Sequence, residues 1–543
     1  MKKYIQFPVL LILASFLMVS CDGFLDAGSE RYTFEEEYGV TSDHDSLYSM
    51  AGIFYSLQKL GDRYVLLGEL RGDLVQTEDD ASAYLKQINE FTVTKDNPYA
   101  STKEYYAVIN NCNYTIKNVD TAKVYNGYDK KMYRLMASAK SIRAWTYLQL
   151  ALNYGTVNYI VDPILSAEDA EKEYQKLDIN ALADVLIEDL LPFKDIQTLN
   201  LGSFASFETR LSIFPVKFLL GDLYLLKKDY LNAAKMYHEL MYDKSAVISN
   251  RYLNEISFVN NAPSGYTWRW YNIFTPGSTE VISAIASSPD YGNPFTLDSL
   301  SYHFMISPTQ YIIDKWEKAI YYKNDLQLAE GDMRGLCSYN SLVGQFPCFN
   351  ASMLNYTNPK KPIIGKYIGY NSEDEKRIVL YRNSLLYLRY AEAINRLGYP
   401  ETAYAILTTG LNQTTIKKSK IVKEIGIAGT SPEYLDFSDY RFSANIGTMM
   451  RGLGNTQLDS TYYNLKPQAN KPDSILFVEN QIVDELAAEL AFEGNRYQDL
   501  MRIALRRNNP AFLADKVSKK FTTNKELIRT KLMDTKNWYL PKK

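Results

Sequence analysis

The chain has 543 residues, of which 46% are hydrophobic and 23% are charged. These ordinary globular values exclude a disordered chain, a collagen-like fibre and a small disulfide scaffold. Lys and Arg total 60 against 63 for Asp and Glu, so no basic excess is available to neutralise phosphates and nucleic-acid binding is not expected. The three histidines are far apart, without metal-ligand spacing, and neither a metal nor a cofactor is predicted.

The first twenty residues have the pattern of a bacterial lipoprotein signal peptide. Two lysines follow the initial Met, and a mainly apolar run extends from Phe7 to Val19. This run is too short to span a bilayer and has the size of a signal-peptide core. Cys21 stands directly after it. We therefore predict a signal peptide over 1–20, lipidation of Cys21, and a mature chain over 21–543 that is held at the membrane by lipid alone.

Three further cysteines follow in the mature chain. Cys337 and Cys348 flank a segment rich in Gly, Ser, Asn and Pro, and they can form a disulfide in an oxidising compartment. Cys112 lies in a helical pattern and is predicted to be a small buried residue.

Four helices can be identified from their apolar spacing. The spacing predicts helices over Tyr106–Val119, Lys131–Leu152, Ile312–Tyr321 and Ile475–Phe492. Gly155 follows the second of these and is a plausible helix stop.

Two segments share the pattern of a tetratricopeptide helical hairpin. They lie near 211–243 and 384–413, and in each a small residue is followed by an alanine twelve positions later. Such small residues let two antiparallel helices pack closely. The hairpins are too far apart for a tandem array, so loop-rich insertions must separate them, near 251–304 and 331–374. Within the first insertion, residues 281–286 are predicted to form a strand.

Aromatic side chains are abundant, with 45 Tyr, 23 Phe and 5 Trp. The densest cluster follows Pro263 and Gly265 in the first insertion, where indole and phenol faces could stack against sugar rings. The alternative is a small satellite core beneath a long loop. The aromatic ligand-binding candidates are Tyr84, Tyr99, Tyr266, Trp268, Trp270, Tyr271, Tyr291 and Tyr302.

Arg71 and Asp73 are further ligand-binding candidates, because a guanidinium and a carboxylate can form paired hydrogen bonds to hydroxyl or peptide groups. A structural salt bridge is the equal alternative. Near the C-terminus, the spacing of Glu493, Arg496, Asp499 and Arg502 suits salt bridges along helical turns better than an active site.

Several short motifs, taken in order, resemble those of the SusD/RagB family of outer-membrane lipoproteins from Bacteroidetes. They begin with the lipoprotein signal and span most of the mature chain. The segments that carry the resemblance are Cys21–Asp26, Glu69–Asp73, Tyr105–Asn113, Lys140–Gly155, Gly331–Arg334, Gly365–Tyr367 and Glu489–Arg502.

The resemblance implies a mainly α SusD-like fold, with tetratricopeptide-like helix pairs, long loop-rich insertions and little β structure, in a single domain over 21–543. It also implies a lipid-anchored protein of the outer membrane that faces the cell exterior. Such a protein captures a nutrient, most often an oligo- or polysaccharide, and delivers it to a SusC-like TonB-dependent barrel without catalysis.

Three alternatives remain open at this stage. A RagB-type lipoprotein would import peptides instead of glycans. A surface glycoside hydrolase would need only two carboxylates, although no nucleophile motif or catalytic histidine is present. A tetratricopeptide scaffold for protein partners would leave the long aromatic loops without a role.

Overall fold

The computed structural model describes residues 43–542 except 121–130, 205–206, 250–254, 260–261, 268–270, 275–277, 288–294, 324–327, 342–361, 369–375, 428, 454–457 and 460–461. Helices dominate this part of the chain and strands are short, so the predicted mainly α class is confirmed. Of the described helices, none combines the length and the apolar character needed to cross a membrane.

The helices begin near the N-terminal end of the described chain and continue to its C-terminal end. In chain order they are α1 Asp43–Gln58, α2 Gly61–Glu69, α3 Ala83–Asn89, α4 Lys103–Asn118, α5 Lys131–Tyr154, α6 Ala167–Glu171, α7 Ile179–Leu190, α8 Val216–Leu226, α9 Tyr230–Lys244, α10 Leu297–Tyr302, α11 Gln310–Glu317, α12 Met333–Ser338, α13 Gly365–Ile368, α14 Asn383–Arg396, α15 Pro400–Thr408, α16 Ser419–Ile425, α17 Lys471–Leu490, α18 Arg496–Arg507, α19 Pro510–Ser518 and α20 Lys525–Met533.

The strands pair in twos and all described pairs are antiparallel. They are β1 Val75–Thr77, β2 Thr156–Asn158, β3 Lys176–Asp178, β4 Ser203–Phe204, β5 Phe207–Glu208, β6 Glu255–Val259, β7 Ala262–Thr267, β8 Val281–Ser287, β9 Ile306–Pro308, β10 Ile320–Tyr322, β11 Leu328–Glu330, β12 Tyr339–Ser341, β13 Pro362–Ile364 and β14 Lys376–Arg382. The strand predicted over 281–286 is β8, which pairs with β14.

Consecutive helices pack side by side in α4–α5, α8–α9, α14–α15 and α19–α20. The pair α8–α9 shows why a small residue is needed at the crossing. A Cβ atom on Gly221 would lie 2.4 Å from the ring of Tyr237. The Tyr237 hydroxyl donates to Asp222 Oδ1 at 2.6 Å, which fixes the ring against the glycine. Glycine therefore sets the distance between the two helices.

Two predicted helix ends can be compared with the structure. Helix α5 ends at Tyr154, and Gly155 follows with φ +77°, as the sequence indicates. Helix α11, by contrast, ends at Glu317, so the predicted continuation to Tyr321 is wrong. The residues that follow pair instead with Leu328–Glu330, where Ile320 faces Glu330 and Tyr322 faces Leu328. Pairing with the following strand, β11, overrides the local helical spacing here.

A network of buried ion pairs joins the loop-rich segments to helix α17. Glu489 lies at its centre, with Arg334 Nη1 at 3.1 Å, Arg382 Nη1 at 2.8 Å and Arg451 Nη1 at 2.7 Å. Burial alone would raise the pKa of Glu489, but these arginines outweigh it and hold the pKa well below its ordinary value. Arg451 also pairs with Glu280 at the start of β8. The network fixes segments from four parts of the chain to one helix.

Candidate functional site

Several sequence-predicted site residues lie outside the described residues. Trp268, Trp270, Tyr291, the lipidation candidate Cys21 and the half-cystine candidate Cys348 belong to this group. The roles proposed for them stay predictions.

For three further candidates, Tyr266, Tyr271 and Cys337, the structure gives the position of the backbone. Tyr266 is in β7, opposite Ile256 of β6, and Tyr271 begins a 3-10 turn over Tyr271–Phe274. Cys337 lies in α12. Among the cysteines whose side chains are described, Cys112 is free and buried, as predicted.

The structure brings Tyr84 and Tyr99 into one local unit. The side chain of Asn97 joins them, since its Nδ2 donates to the Tyr84 carbonyl at 3.0 Å and its Oδ1 accepts from the Tyr99 backbone N–H at 3.0 Å. Asn97 is buried, whereas 41% of Tyr84 is exposed and Tyr99 is half-buried. Tyr302 is also half-buried, at the end of α10, with its ring 5.4 Å from that of His303.

Asp73 and Arg71, predicted to act together, have separate roles. Asp73 is buried and forms a two-pronged salt bridge with Arg496, at 2.6 Å to Nε and 2.9 Å to Nη2. Burial would raise the pKa of Asp73, but Arg496 lowers it overall. The structure thus corrects the binding-site prediction for Asp73 and supports the salt-bridge alternative. Arg71 donates instead to neutral acceptors, the carbonyls of Leu67 and Trp538 and the side chain of Asn153.

A tyrosine cluster that sequence reasoning missed lies between β10 and the segment after residue 461. The rings of Tyr322 and Tyr462 stack with centroids 3.5 Å apart, and Tyr463 meets Tyr462 edge-on at 5.2 Å. Lys466 Nζ lies 5.4 Å from the centroid of the Tyr462 ring. All three tyrosines are half-buried, so parts of their surfaces reach solvent. We call Tyr322, Tyr462 and Tyr463 the tyrosine platform.

Hydrogen bonds hold the two halves of the tyrosine platform together. The Tyr463 hydroxyl accepts from the Tyr322 backbone N–H at 3.2 Å, and the Asp459 N–H donates to the Tyr322 carbonyl at 3.0 Å. A hydrogen bond with Tyr462 raises the pKa of the Tyr322 hydroxyl. The rings are therefore positioned before any ligand arrives.

The tyrosine platform is anchored to the buried ion-pair network through the preceding residue. Successive strand residues point to opposite faces, and Tyr321 is buried where Tyr322 is partly exposed. The Tyr321 hydroxyl donates to Asp332 Oδ2 at 2.6 Å, and Asp332 pairs with Arg334. The only signal in the sequence was a pair of Tyr-Tyr dipeptides. Local patterns could not reveal that these dipeptides, whose bonded residues are 141 positions apart, lie close together.

Within the described ranges, no group of three or more His, Cys, Asp or Glu side chains could hold a metal ion. The tyrosine platform presents groups that can bind a ligand. Flat aromatic faces can stack on the C–H faces of sugar rings, and the hydroxyls and a lysine can form hydrogen bonds at the edge.

No protein-family model matches the chain. SusD-like protein P38 of Formosa agariphila is 23% identical over 472 residues, covering 81% of this chain and 86% of that protein. SusD-like protein P2 of the same organism is 29% identical over 195 residues, but this match spans only 35% of the chain and 37% of the relative.

Solved structures show what the fold is similar to. A SusD homologue from Bacteroides thetaiotaomicron superposes with a TM-score of 0.60 at 15% identity, covering 91% of each chain. A SusD-like carbohydrate-binding protein from Bacteroides fragilis superposes with a TM-score of 0.54 at 15% identity, covering 87% of this chain and 88% of the other. The chain thus has the SusD-superfamily fold.

The long alignment with P38 and the shared fold agree with the family resemblance that the sequence motifs indicate. In both sequence and fold, the chain is similar to SusD-like proteins.

Proposed function

We propose that this protein is a non-catalytic cell-surface lipoprotein that captures an oligo- or polysaccharide. The tyrosine platform carries the proposal. It offers stacked, partly exposed rings on a rigid frame, and about 0.5–1.5 kcal/mol is typical of an aromatic contact beyond area burial. The description of the Bacteroides fragilis neighbour as a carbohydrate-binding protein supports the same ligand class.

The remainder of the proposal concerns location and partner. Residues 1–20 would be removed as a signal peptide, Cys21 would carry lipid, and residues 21–543 would form one SusD-like domain at the outer membrane, facing the exterior. The captured glycan would pass to a SusC-like TonB-dependent barrel. Similarity to SusD-like proteins and the sequence pattern around Cys21 support this arrangement.

A binding screen with matched variants tests the glycan proposal. The soluble form, residues 22–543, is screened by native mass spectrometry against plant, host and microbial glycans beside mixed peptides. Tyr322→Ala and Tyr462→Ala are expected to weaken glycan binding by about tenfold each, since a stacked ring is lost from the tyrosine platform. Tyr440→Ala is the control, because Tyr440 is 76% exposed in a separate 3-10 turn over Tyr440–Phe442.

Three outcomes would contradict parts of this proposal. A peptide ligand and no glycan would replace the substrate class. Equal binding by the Tyr322, Tyr462 and Tyr440 variants would remove the tyrosine platform from the site. New reducing ends after incubation with a bound polymer would show hydrolysis.

The transporter part of the proposal needs a separate experiment. Affinity-tagged full-length protein is purified from outer membranes in mild detergent. A TonB-dependent barrel is expected in the same complex. Its absence after chemical cross-linking in intact cells would contradict the proposed partner.

A further inference from the structure

A second binding site is suggested by a cavity of about 320 Å³ between the C-terminal residues and the segment after α3. Its volume is within the range of small-molecule pockets, roughly 300–1,000 Å³. The described residues that line it are Arg71, Ile88, Phe91, Val93, Lys531, Lys536, Asn537, Trp538, Tyr539, Leu540 and Pro541. The lining thus combines three cationic side chains with an apolar and aromatic wall, and it includes no carboxylate.

Arg71 is the unusual member of this lining. It is among the largest fully buried side chains, together with Arg334, Arg382 and Arg451. Each of those three arginines pairs with at least two carboxylates. Arg71 has only neutral acceptors, two carbonyls and an amide oxygen, and its guanidinium carbon lies 4.3 Å from the centroid of the Tyr497 ring.

Leaving a buried charge without a counterion is costly in a low-dielectric interior. Burial lowers the pKa of Arg71, and no carboxylate opposes that effect; the groups that raise it are Tyr497, Tyr105 and Tyr154. Arg71 is therefore a buried cation that donates hydrogen bonds to three neutral acceptors, but no described carboxylate forms an ion pair with it.

Lys531 and Lys536 add to the positive character of the cavity. Lys531 is half-buried, and its Nζ donates to the Phe91 carbonyl. This acceptor is neutral, so the contact does not balance the charge of Lys531. Lys536 is exposed at the edge. The lining also includes Phe91, Val93 and Leu540, which provide apolar surface. This combination suits a small molecule with a carboxylate at one end and an apolar ring face at the other.

We propose that this cavity binds a carboxylate-bearing small ligand, with the carboxylate near Arg71 and Lys531. Two sources share this chemistry, an acidic sugar such as a uronate and the C-terminal carboxylate of a short peptide. The inference does not depend on the tyrosine platform, which lies on other segments of the chain.

Paired probes differing only in charge test the proposal on the soluble protein, by ligand-observed NMR and calorimetric titration. The probes are D-galacturonate against its methyl ester, and N-acetyl-phenylalanine against its amide. We expect one or both acids to bind and the neutral partners to bind at least about tenfold more weakly, as for loss of a charge-assisted hydrogen bond. The acid that binds identifies the source.

Variants then locate the bound acid. Lys531→Met and Lys536→Met should each weaken its binding, and Arg71→Lys should do so if the protein remains folded. Lys525→Met is the matched control, since Lys525 is exposed at the start of α20 and does not line the cavity. Equal binding of acid and neutral probe, no acid binding at about 10 mM, or an equal effect of the Lys525 and Lys531 variants would overturn the proposal.

Discussion

Arg496 binds both carboxylate oxygens of Asp73, which lies 423 positions earlier in the sequence. Its Nε donates to Oδ1 at 2.6 Å and its Nη2 donates to Oδ2 at 2.9 Å. Both side chains are nearly inaccessible, at 2% and 3% exposure. The same guanidinium donates to the Val483 carbonyl at 2.9 Å, which connects the segment after α2 with α17 and α18. This salt bridge closes the N-terminal part of the described chain onto the C-terminal helices.

Replacing Arg496 by Met should strongly destabilise the protein. The change leaves Asp73 as an uncompensated buried charge, which typically costs about 3–5 kcal/mol in the free energy of unfolding. Urea unfolding followed by circular dichroism measures the effect. Arg529→Met is the control, because Arg529 and Asp515 pair at 2.7 Å while 39% and 50% exposed. An exposed pair contributes about 0–1 kcal/mol to the free energy of unfolding. Equal losses of stability in the Arg496 and Arg529 variants would contradict the role of Arg496 as the partner of a buried charge.

Gly221→Ala should also destabilise the protein, although alanine normally favours a helix. The added methyl group would lie 2.4 Å from the Tyr237 ring, which is fully buried and held by Asp222. Overpacking of this kind costs roughly 1–3 kcal/mol. The same substitution at Gly52 of α1 meets nothing within 4 Å and should stabilise by about 0.5–1 kcal/mol. Thermal unfolding of the two variants should therefore shift in opposite directions.

Local sequence patterns were sufficient for features set by neighbouring residues. The i,i+3 salt bridge between Asp499 and Arg502 is present at 2.8 Å, as predicted. The spacing of Gly221 and Ala233 indicated a close helical crossing because it depends on residue size alone.

Features created by distant parts of the chain could not be obtained in this way. Arg496 was predicted to form a bridge within its helix, but its partner is Asp73. The tyrosine platform joins Tyr322 to Tyr462, and neither periodicity nor composition encodes which two loops will meet. The helix predicted over Ile312–Tyr321 was wrong at its C-terminal end for a different reason, since pairing with the following strand, β11, decides the conformation there.

Glu69 should make the stability of the protein depend on pH. Burial raises its pKa from 4.5 to about 7, against the opposing influence of the Gly494 N–H, which donates to Oε1 at 2.8 Å, and of Arg496. Asp73 raises it slightly further. The folded state thus binds a proton more tightly than the unfolded state, so stability is present below pH 4.5 and is lost as the pH rises to about 7.

Glu69→Gln should remove this dependence. Relative to the native protein, the variant should gain stability between pH 5 and pH 8, on the order of 2 kcal/mol. Urea unfolding at both pH values measures the difference. Lys520 is also buried nearby, and burial lowers its pKa to about 7. Its contribution changes between pH 7 and 10.5, but Lys520 is present in both proteins, so this change is common to them and is removed when their stabilities are subtracted. Glu526→Gln, at an exposed position of α20, is the control and should show no pH-dependent gain.

The aromatic cluster in the first insertion gives the last prediction. Trp268→Ala with Trp270→Ala should weaken glycan binding without changing the melting temperature, because the two indoles are expected to be a ligand-binding surface and not a satellite core. Calorimetric titration of the glycan found in the screen, with thermal unfolding of the same samples, separates these roles. A large fall in melting temperature would favour the satellite core, and unchanged affinity would remove both tryptophans from the site. Combined with Tyr462→Ala, a loss of binding energy larger or smaller than the sum of the two effects would show that the tryptophans and the tyrosine platform contact the same ligand.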